Sequence, residues 1–306
     1  MNESLDGAEL ALLTERRTLL CRMWALTAVS MASGSATLTA CGGGSGGSSS
    51  FALPVPAPAA AAPPPSPPSA TPAPSPGAAP APAPAPGPAP APEAPSLGAH
   101  ALNFNLDGVT SPSLSTPGMS TRTTGSTLLT CVGRGLLAAG TPTDNAGNAF
   151  VQLDVPHIYT LWPSSGTALY ACEKAQGVAG HAVTVAKPKV TDETTLSVIE
   201  ITSGGSVRDV QWREVLSGQP LTSASVTTTG PALLVAWWWG DAGVDLDKTA
   251  VPNNGFTVVD SVLRAGALVQ CAVAVRQVGV AGTYNVTWIS TPQQGAQLWL
   301  VAVQAG

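Results

Sequence analysis

Charge is scarce in this chain. Of 306 residues only 13 are Lys or Arg and 18 are Asp or Glu, so charged residues make up 10%, against about 25% in an average soluble protein. The net charge is −5 and no basic patch interrupts it, which excludes nucleic acid as a partner on electrostatic grounds. Histidine is limited to three residues, and His157 and His181 lie more than twenty positions apart, so no local metal-ligand spacing exists. There is no G-x-S-x-G elbow of the kind that presents a nucleophilic serine. After residue 41 no run approaches the ~18 apolar residues of a membrane span. No stretch after residue 98 holds a 3.6-residue period over three turns, which argues against a helical domain.

What the chain has in quantity is glycine and proline, 32 and 29 residues, with the prolines concentrated rather than spread. They divide it into a targeting segment (1–40), a low-complexity segment (41–98) and a region of ordinary globular composition (99–306), long enough for one sizeable all-β domain.

In the first zone Arg16, Arg17 and Arg22 precede the weakly apolar run MWALTAVSMASGSATL, the order of a secretory signal. The run is too short and too polar to stay in a bilayer. It ends in Leu38, Thr39, Ala40 and Cys41, which resembles the bacterial lipobox. That resemblance implies acylation of the Cys41 thiol, cleavage before it, and a membrane anchor of two or three acyl chains, since one chain binds only marginally. The arginine pair followed by Thr18, Leu19 and Leu20 resembles a twin-arginine export motif; twin-arginine and Sec export both stay open.

Residues 42–50 are Gly and Ser, a composition that predicts a flexible coil. From Phe51 to Pro95 the chain is dominated by Pro and Ala, as in PAPAPAPGPAPAPEAP. Proline removes backbone donors and biases its predecessor toward extended geometry, so a polyproline II stalk with a reach on the order of 140 Å is expected.

Beyond residue 98 short runs rich in Val, Leu, Thr and Trp alternate with turn sequences such as TDNAGN, WPSSG, TSGGS and VPNNG. Eleven candidate strands follow, among them 126–135, 181–187, 195–203, 232–239, 267–275 and 296–303. Strands without helices imply an all-β, two-sheet antiparallel sandwich, jelly-roll-like in topology. No propeller-like repeat of about 40 residues is apparent. The succession GSTLLTCVGRG, PTDNAGN, SGTALYAC, AGHAVTV, VIEITSG, SVTTTGPALLVAWWWG and AGTYNVTW resembles a domain recurring in bacterial exported and surface proteins. The resemblance implies a concanavalin-type or jelly-roll sandwich and carries no assigned chemistry.

VAWWWGDAGVDLDKT is the most suggestive stretch. Side chains alternate along a strand, so Trp237 and Trp239 share a face, a platform on which a glycan or cell-wall polymer could stack if exposed. Asp241, Asp245 and Asp247 follow in a Gly-containing loop and supply hard oxygen ligands suited to Ca²⁺; the alternatives are a packed core for the tryptophans and a solvated loop for the aspartates. Asp144, Asn145 and Asn148 read as a tight turn. Cys271 falls on the buried face of its strand, and Cys131, Cys172 and Cys271 allow at most one disulfide, with no pair singled out. The expectation is therefore a non-catalytic binding or structural module held at the cell envelope by a lipid, without a required cofactor. A calcium-assisted carbohydrate-binding module and an envelope hydrolase are the alternatives.

Overall fold

The computed structural model describes residues 94–305, apart from 107, 136–139, 217–218, 242–247, 266 and 268. Within them the protein is all-β, and its antiparallel strands form two main sheets packed as a sandwich. The first ten strands are β1 (Ser96–Asn105), β2 (Ser113–Ser115), β3 (Met119–Ser120), β4 (Thr124–Arg134), β5 (Thr143–Asp144), β6 (Val151–Tyr159), β7 (Trp162–Gln176), β8 (Ala179–His181), β9 (Val183–Ala186) and β10 (Thr194–Thr202). They form one main sheet in the order β1-β10-β4-β7-β6, with two small sheets, β2-β9-β5 and β3-β8. Pairing β1 with β10, β2 with β9, β3 with β8 and β4 with β7 is a long hairpin rolled up on itself, which is jelly-roll topology.

The next ten strands repeat this. They are β11 (Gly205–Val215), β12 (Leu221–Thr222), β13 (Val226–Thr228), β14 (Ala232–Asp241), β15 (Thr249–Pro252), β16 (Thr257–Val262), β17 (Val269–Val278), β18 (Gly282–Tyr284), β19 (Thr287–Thr291) and β20 (Ala296–Ala305). Their orders, β11-β20-β14-β17-β16, β12-β19-β15 and β13-β18, are those of the first set with every number raised by ten. The irregularities repeat as well. β1 carries a bulge between Leu97 and His100, and β11 carries one between Val207 and Asp209. Leu97 opposes Ile201 and Val207 opposes Val303, which makes Ile201 and Val303 equivalent and sets the alignment of the two repeats.

Three apolar layers follow from strand alternation. Odd-numbered Leu129, Cys131, Leu169, Ile199 and Ile201 point from the first main sheet toward Leu233, Val235, Trp237, Trp239, Trp299 and Val301 of the second. The even-numbered faces point outward and are covered by the small sheets of their own repeat, around Leu128, Val132, Val183 and Leu196 in the first and around Leu234, Trp238, Trp288 and Leu298 in the second. Edge strands β1 and β16 meet at one margin of the sandwich, and β6 and β11 meet at the other. The central strands therefore have both faces buried. This explains why β10 is buried along its whole length although it carries Ser197 and Glu200, and why 232–239 and 298–303 are continuous apolar runs rather than alternating ones.

Candidate functional site

Two places in the fold gather the chemistry-bearing side chains. The first lies in the outer layer of the first repeat, at the turn after β5. Asp144 Oδ1 accepts the backbone N–H of Ala146 (3.1 Å) and of Asn148 (2.9 Å), an Asx-type closure, and Gly147 takes the positive φ of 78° that the turn requires. Asp144 Oδ2 accepts from Asn148 Nδ2 at 2.7 Å and from His181 Nε2 at 2.8 Å. The other ring nitrogen of His181 lies 2.9 Å from the Thr121 hydroxyl, so a neutral imidazole protonated at Nε2 satisfies both contacts. The side chains of His181 and Asp144 are fully buried. Burial, the largest single influence, pushes the Asp144 pKa up. The hydrogen bonds from Asn148 and His181 outweigh it and hold the carboxyl below its ordinary value.

Hydroxyl, imidazole and carboxylate in this order polarise a nucleophile in acyl-transfer enzymes. Here the imidazole has no exposed face, and both carboxylate oxygens are already doubly bonded to donors. Asn145 extends the same closure, accepting from Ala182 N and donating to the Gly180 carbonyl, both at 3.0 Å. Asp144, Asn145 and Asn148 thus do the turn work read from the sequence. What sequence reasoning missed was the arrival of His181 and Thr121, from segments 37 and 23 positions away. No local spacing signals it, because β5 and β8 reach each other through the rolled topology alone.

The second place is the interface between the main sheets. Trp237 Nε1 donates to Ser197 Oγ and Trp299 Nε1 to Thr167 Oγ1, both at 2.8 Å. Thr167 donates on to Gln297 Oε1 at 2.7 Å. Tyr159 meets Trp239 edge-on with ring centroids 6.3 Å apart. At the β6–β11 margin the His157 imidazole stacks on Trp212 at 3.7 Å and 4°. His157 Nε2 lies 2.9 Å from Asp154 Oδ2, and Asp154 takes a positive φ of 62° in the β6 bulge.

Trp237 and Trp239 do share a face, as alternation requires, but the expected ligand platform is not formed there. Both are 0% exposed, because the face they share is the one covered by the first repeat. Trp238, on the opposite face, is equally buried under the small sheets. Asp241 ends β14, while Asp245 and Asp247 lie outside the described residues. Among the described residues no group of three or more His, Cys, Asp or Glu side chains is placed to hold a metal ion.

Cys131, Cys172 and Cys271 are all free and buried. Burial pushes the thiol pKa up at each of them, and a neighbouring acidic group raises it further: Cys271 at Cys131, Asp260 at Cys271 and Asp144 at Cys172; none is a thiolate at neutral pH. Another carboxylate, Glu200, is 2% exposed and accepts from Ala99 N (2.9 Å), Arg122 N (2.8 Å) and Ser126 Oγ (2.6 Å), pinning β1 and the approach to β4. These buried acids serve the architecture. No family model matches this chain, and neither a curated protein nor a solved structure matches it.

Proposed function

We propose that this is an exported lipoprotein that displays a non-catalytic β-sandwich, for binding or structural work at the cell envelope, on an extended Pro/Ala stalk. The observation that carries the reading is the order of the N-terminal sequence: arginines, a short apolar run, Leu38-Thr39-Ala40-Cys41, a Gly/Ser coil and a Pro/Ala tract. Each step has its physical role in turn, from targeting through acylation to slack and stiff spacing. Two or more acyl chains at Cys41 hold the chain on a membrane of the envelope, and the stalk sets the domain away from it, toward periplasm or exterior.

A role in binding or structure rather than hydrolysis is supported by the Thr121–His181–Asp144 chain, whose imidazole is enclosed and whose carboxylate is saturated. Cys41→Ser should move the protein from the membrane fraction to the soluble fraction and abolish metabolic labelling with a fatty acid. A variant that stays membrane-bound to the same extent as wild type removes the anchor from the reading.

A further inference from the structure

Gln297 is the one polar residue in the run 296–303 of β20, and it is 0% exposed. Its amide is held at both ends. Gln297 Nε2 donates to the His157 carbonyl at 3.2 Å, and Oε1 accepts from the Thr167 hydroxyl at 2.7 Å. Thr167, also 0% exposed, belongs to β7, so the contact runs from one main sheet to the other between residues 130 positions apart. Thr167 Oγ1 accepts in turn from Trp299 Nε1 at 2.8 Å. An alcohol and a primary carboxamide are thus held in direct contact inside the sandwich.

The fold does not demand this set. The two repeats are equivalent, and register fixes the counterpart at the other margin. His157 opposes Thr167 as Val262 opposes Cys271, and Gln297 opposes Trp239 as Thr195 opposes Gly133. The equivalents of His157, Thr167 and Gln297 are therefore Val262, Cys271 and Thr195, which include neither a base nor an acyl group. A hydroxyl, an acyl carbon and an imidazole come together at one of the two equivalent places only.

The imidazole is in the state a base needs. Directly opposed residues of an antiparallel pair have Cβ atoms about 4.5–5.5 Å apart, and His157 is directly opposite Thr167. Its ring meets Trp299, the indole that donates to Thr167, edge-on at 5.0 Å. His157 Nε2 lies 2.9 Å from Asp154 Oδ2, so the proton sits on Nε2 and Nδ1 carries the lone pair. Asp154 makes this contact from a left-handed backbone, φ 62°, uncommon for a residue with a side chain. Such outliers persist where the surrounding structure over-determines them, and they cluster at functional sites. Trp212, stacked on the ring at 3.7 Å, fixes its plane.

We propose that Thr167 and Gln297 join in an ester cross-link, formed by the chain on itself. The Thr167 oxygen adds to Gln297 Cδ once the amide turns that carbon toward it, and the hydroxyl proton passes to His157 Nδ1, directly or through one water. The Trp299 N–H lowers the cost of removing that proton by stabilising charge on the attacking oxygen. The Cδ–Nε2 bond then breaks, and the imidazolium returns its proton to the leaving nitrogen, which departs as ammonia. One alcohol and one amide give one ester and one ammonia, with no oxidant and no co-reactant. Proximity makes the weak nucleophile competent, since well-oriented groups held in contact behave as if at about 10⁵–10⁸ M. Complete burial excludes the water that would hydrolyse the product. The result is a covalent clamp between β7 and β20, one strand from each repeat, and it is independent of the Cys41 anchor.

The test is peptide mapping of the full chain, purified and incubated overnight before denaturation. Trypsin leaves Thr167 in the peptide 135–174 and Gln297 in the peptide 277–306. The expected product is the two joined, lighter than their sum by one ammonia, with fragmentation placing the bond at Thr167 and Gln297. Alkaline hydroxylamine, which cleaves esters and spares amides, should release both peptides and leave a hydroxamate at 297. Thr167→Val, a substitution of the same shape, should abolish the joined species. His157→Phe, which keeps a ring on Trp212, should slow its formation about 100-fold or more. Separate peptides in the wild-type chain, with the Gln297 amide intact, overturn the proposal. So does a bond that fragmentation places at other residues. A joined species that forms in His157→Phe at the wild-type rate overturns the assignment of His157 as the base. Should either variant fail to fold, the wild-type map and its response to hydroxylamine decide alone.

Discussion

At position 133 a hydrogen atom stands where any other residue would drive a carbon into the Trp239 indole nitrogen and the Thr195 side chain. The glycine is required by this close approach across the sandwich and not by its backbone, which is ordinary strand. Gly133→Ala should cost about 1–3 kcal/mol, the usual penalty for overpacking a rigid core, measured by urea unfolding. Gly279→Ala, where a Cβ meets nothing within 4 Å, should be close to neutral. Asp144 gives a pH signature. Its folded-state pKa is depressed, so the stability it contributes is complete above its unfolded pKa of about 4 and is lost as pH falls through the folded value. Wild type should lose stability below about pH 4 more steeply than Asp144→Asn, and at pH 7 the variant should be weaker by roughly 1–3 kcal/mol, because a buried donor loses its acceptor. Equal acid slopes for the two proteins, read from urea midpoints at several pH values, would remove Asp144 from the pH response. The turn around Asp144 was legible from PTDNAGN. Its buried partner was not, since His181 shares no local pattern with it.

Among the elements, legibility tracked burial. Runs such as ALLVAWWW and AQLWLVAV read as strands because both faces of β14 and β20 are covered, leaving apolar sequence that only Gln297 interrupts. The equivalent edge strands β1 and β11 were not among the expected strands. Their bulges break the period-two pattern, and their residues are mostly half-buried, so SLGAHALNFN and GSVRDVQWREV alternate poorly. The facing pair β7 and β20 offers a direct measurement. Trp299→Ala should cost about 3–5 kcal/mol, as for other buried large-to-small changes. Trp299→Phe keeps most of the apolar volume and should lose about 1 kcal/mol for the bond to Thr167 together with its packing deficit. If the two variants unfold at the same urea concentration, the hydrogen bond rather than the ring is what matters at this point of the interface.

For the whole molecule, the two repeats behave as one body. Edge β1 meets β16 and edge β11 meets β6, the self-complementary pattern of a two-fold dimer built within one chain. The two halves of the interface have diverged into large and small. Trp237 and Trp239 of the second repeat correspond to Cys131 and Gly133 of the first, and Trp299 to Ser197. Only Ser203 and Gly204, at φ of 71° and 64°, separate β10 from β11, so the connection passes from one main sheet to the other without slack. A chain of this kind should unfold in one transition, with tryptophan fluorescence and far-ultraviolet circular dichroism coinciding. Residues 94–203 or 204–306 produced alone should aggregate through an uncovered apolar face, while the two produced together should yield a soluble 1:1 complex, since indoles on one side need small residues on the other. Soluble, folded single repeats would contradict this account of the core.

By itself the amino-acid sequence determined the class of structure and its composition boundaries. Period-two and short β-branched apolar runs point to strands, glycine and asparagine mark their ends, and the Pro/Ala composition stops where those runs begin. These are local constraints, acting over a few residues through φ, ψ and side-chain alternation. Tertiary structure alone decided that twenty strands among the described residues form one jelly roll twice over, and that the three tryptophans of VAWWWG are core and not surface. Those facts depend on which faces are covered and which distant strands pair, and the repeats keep their common register while sharing too few side chains for the sequence to display it.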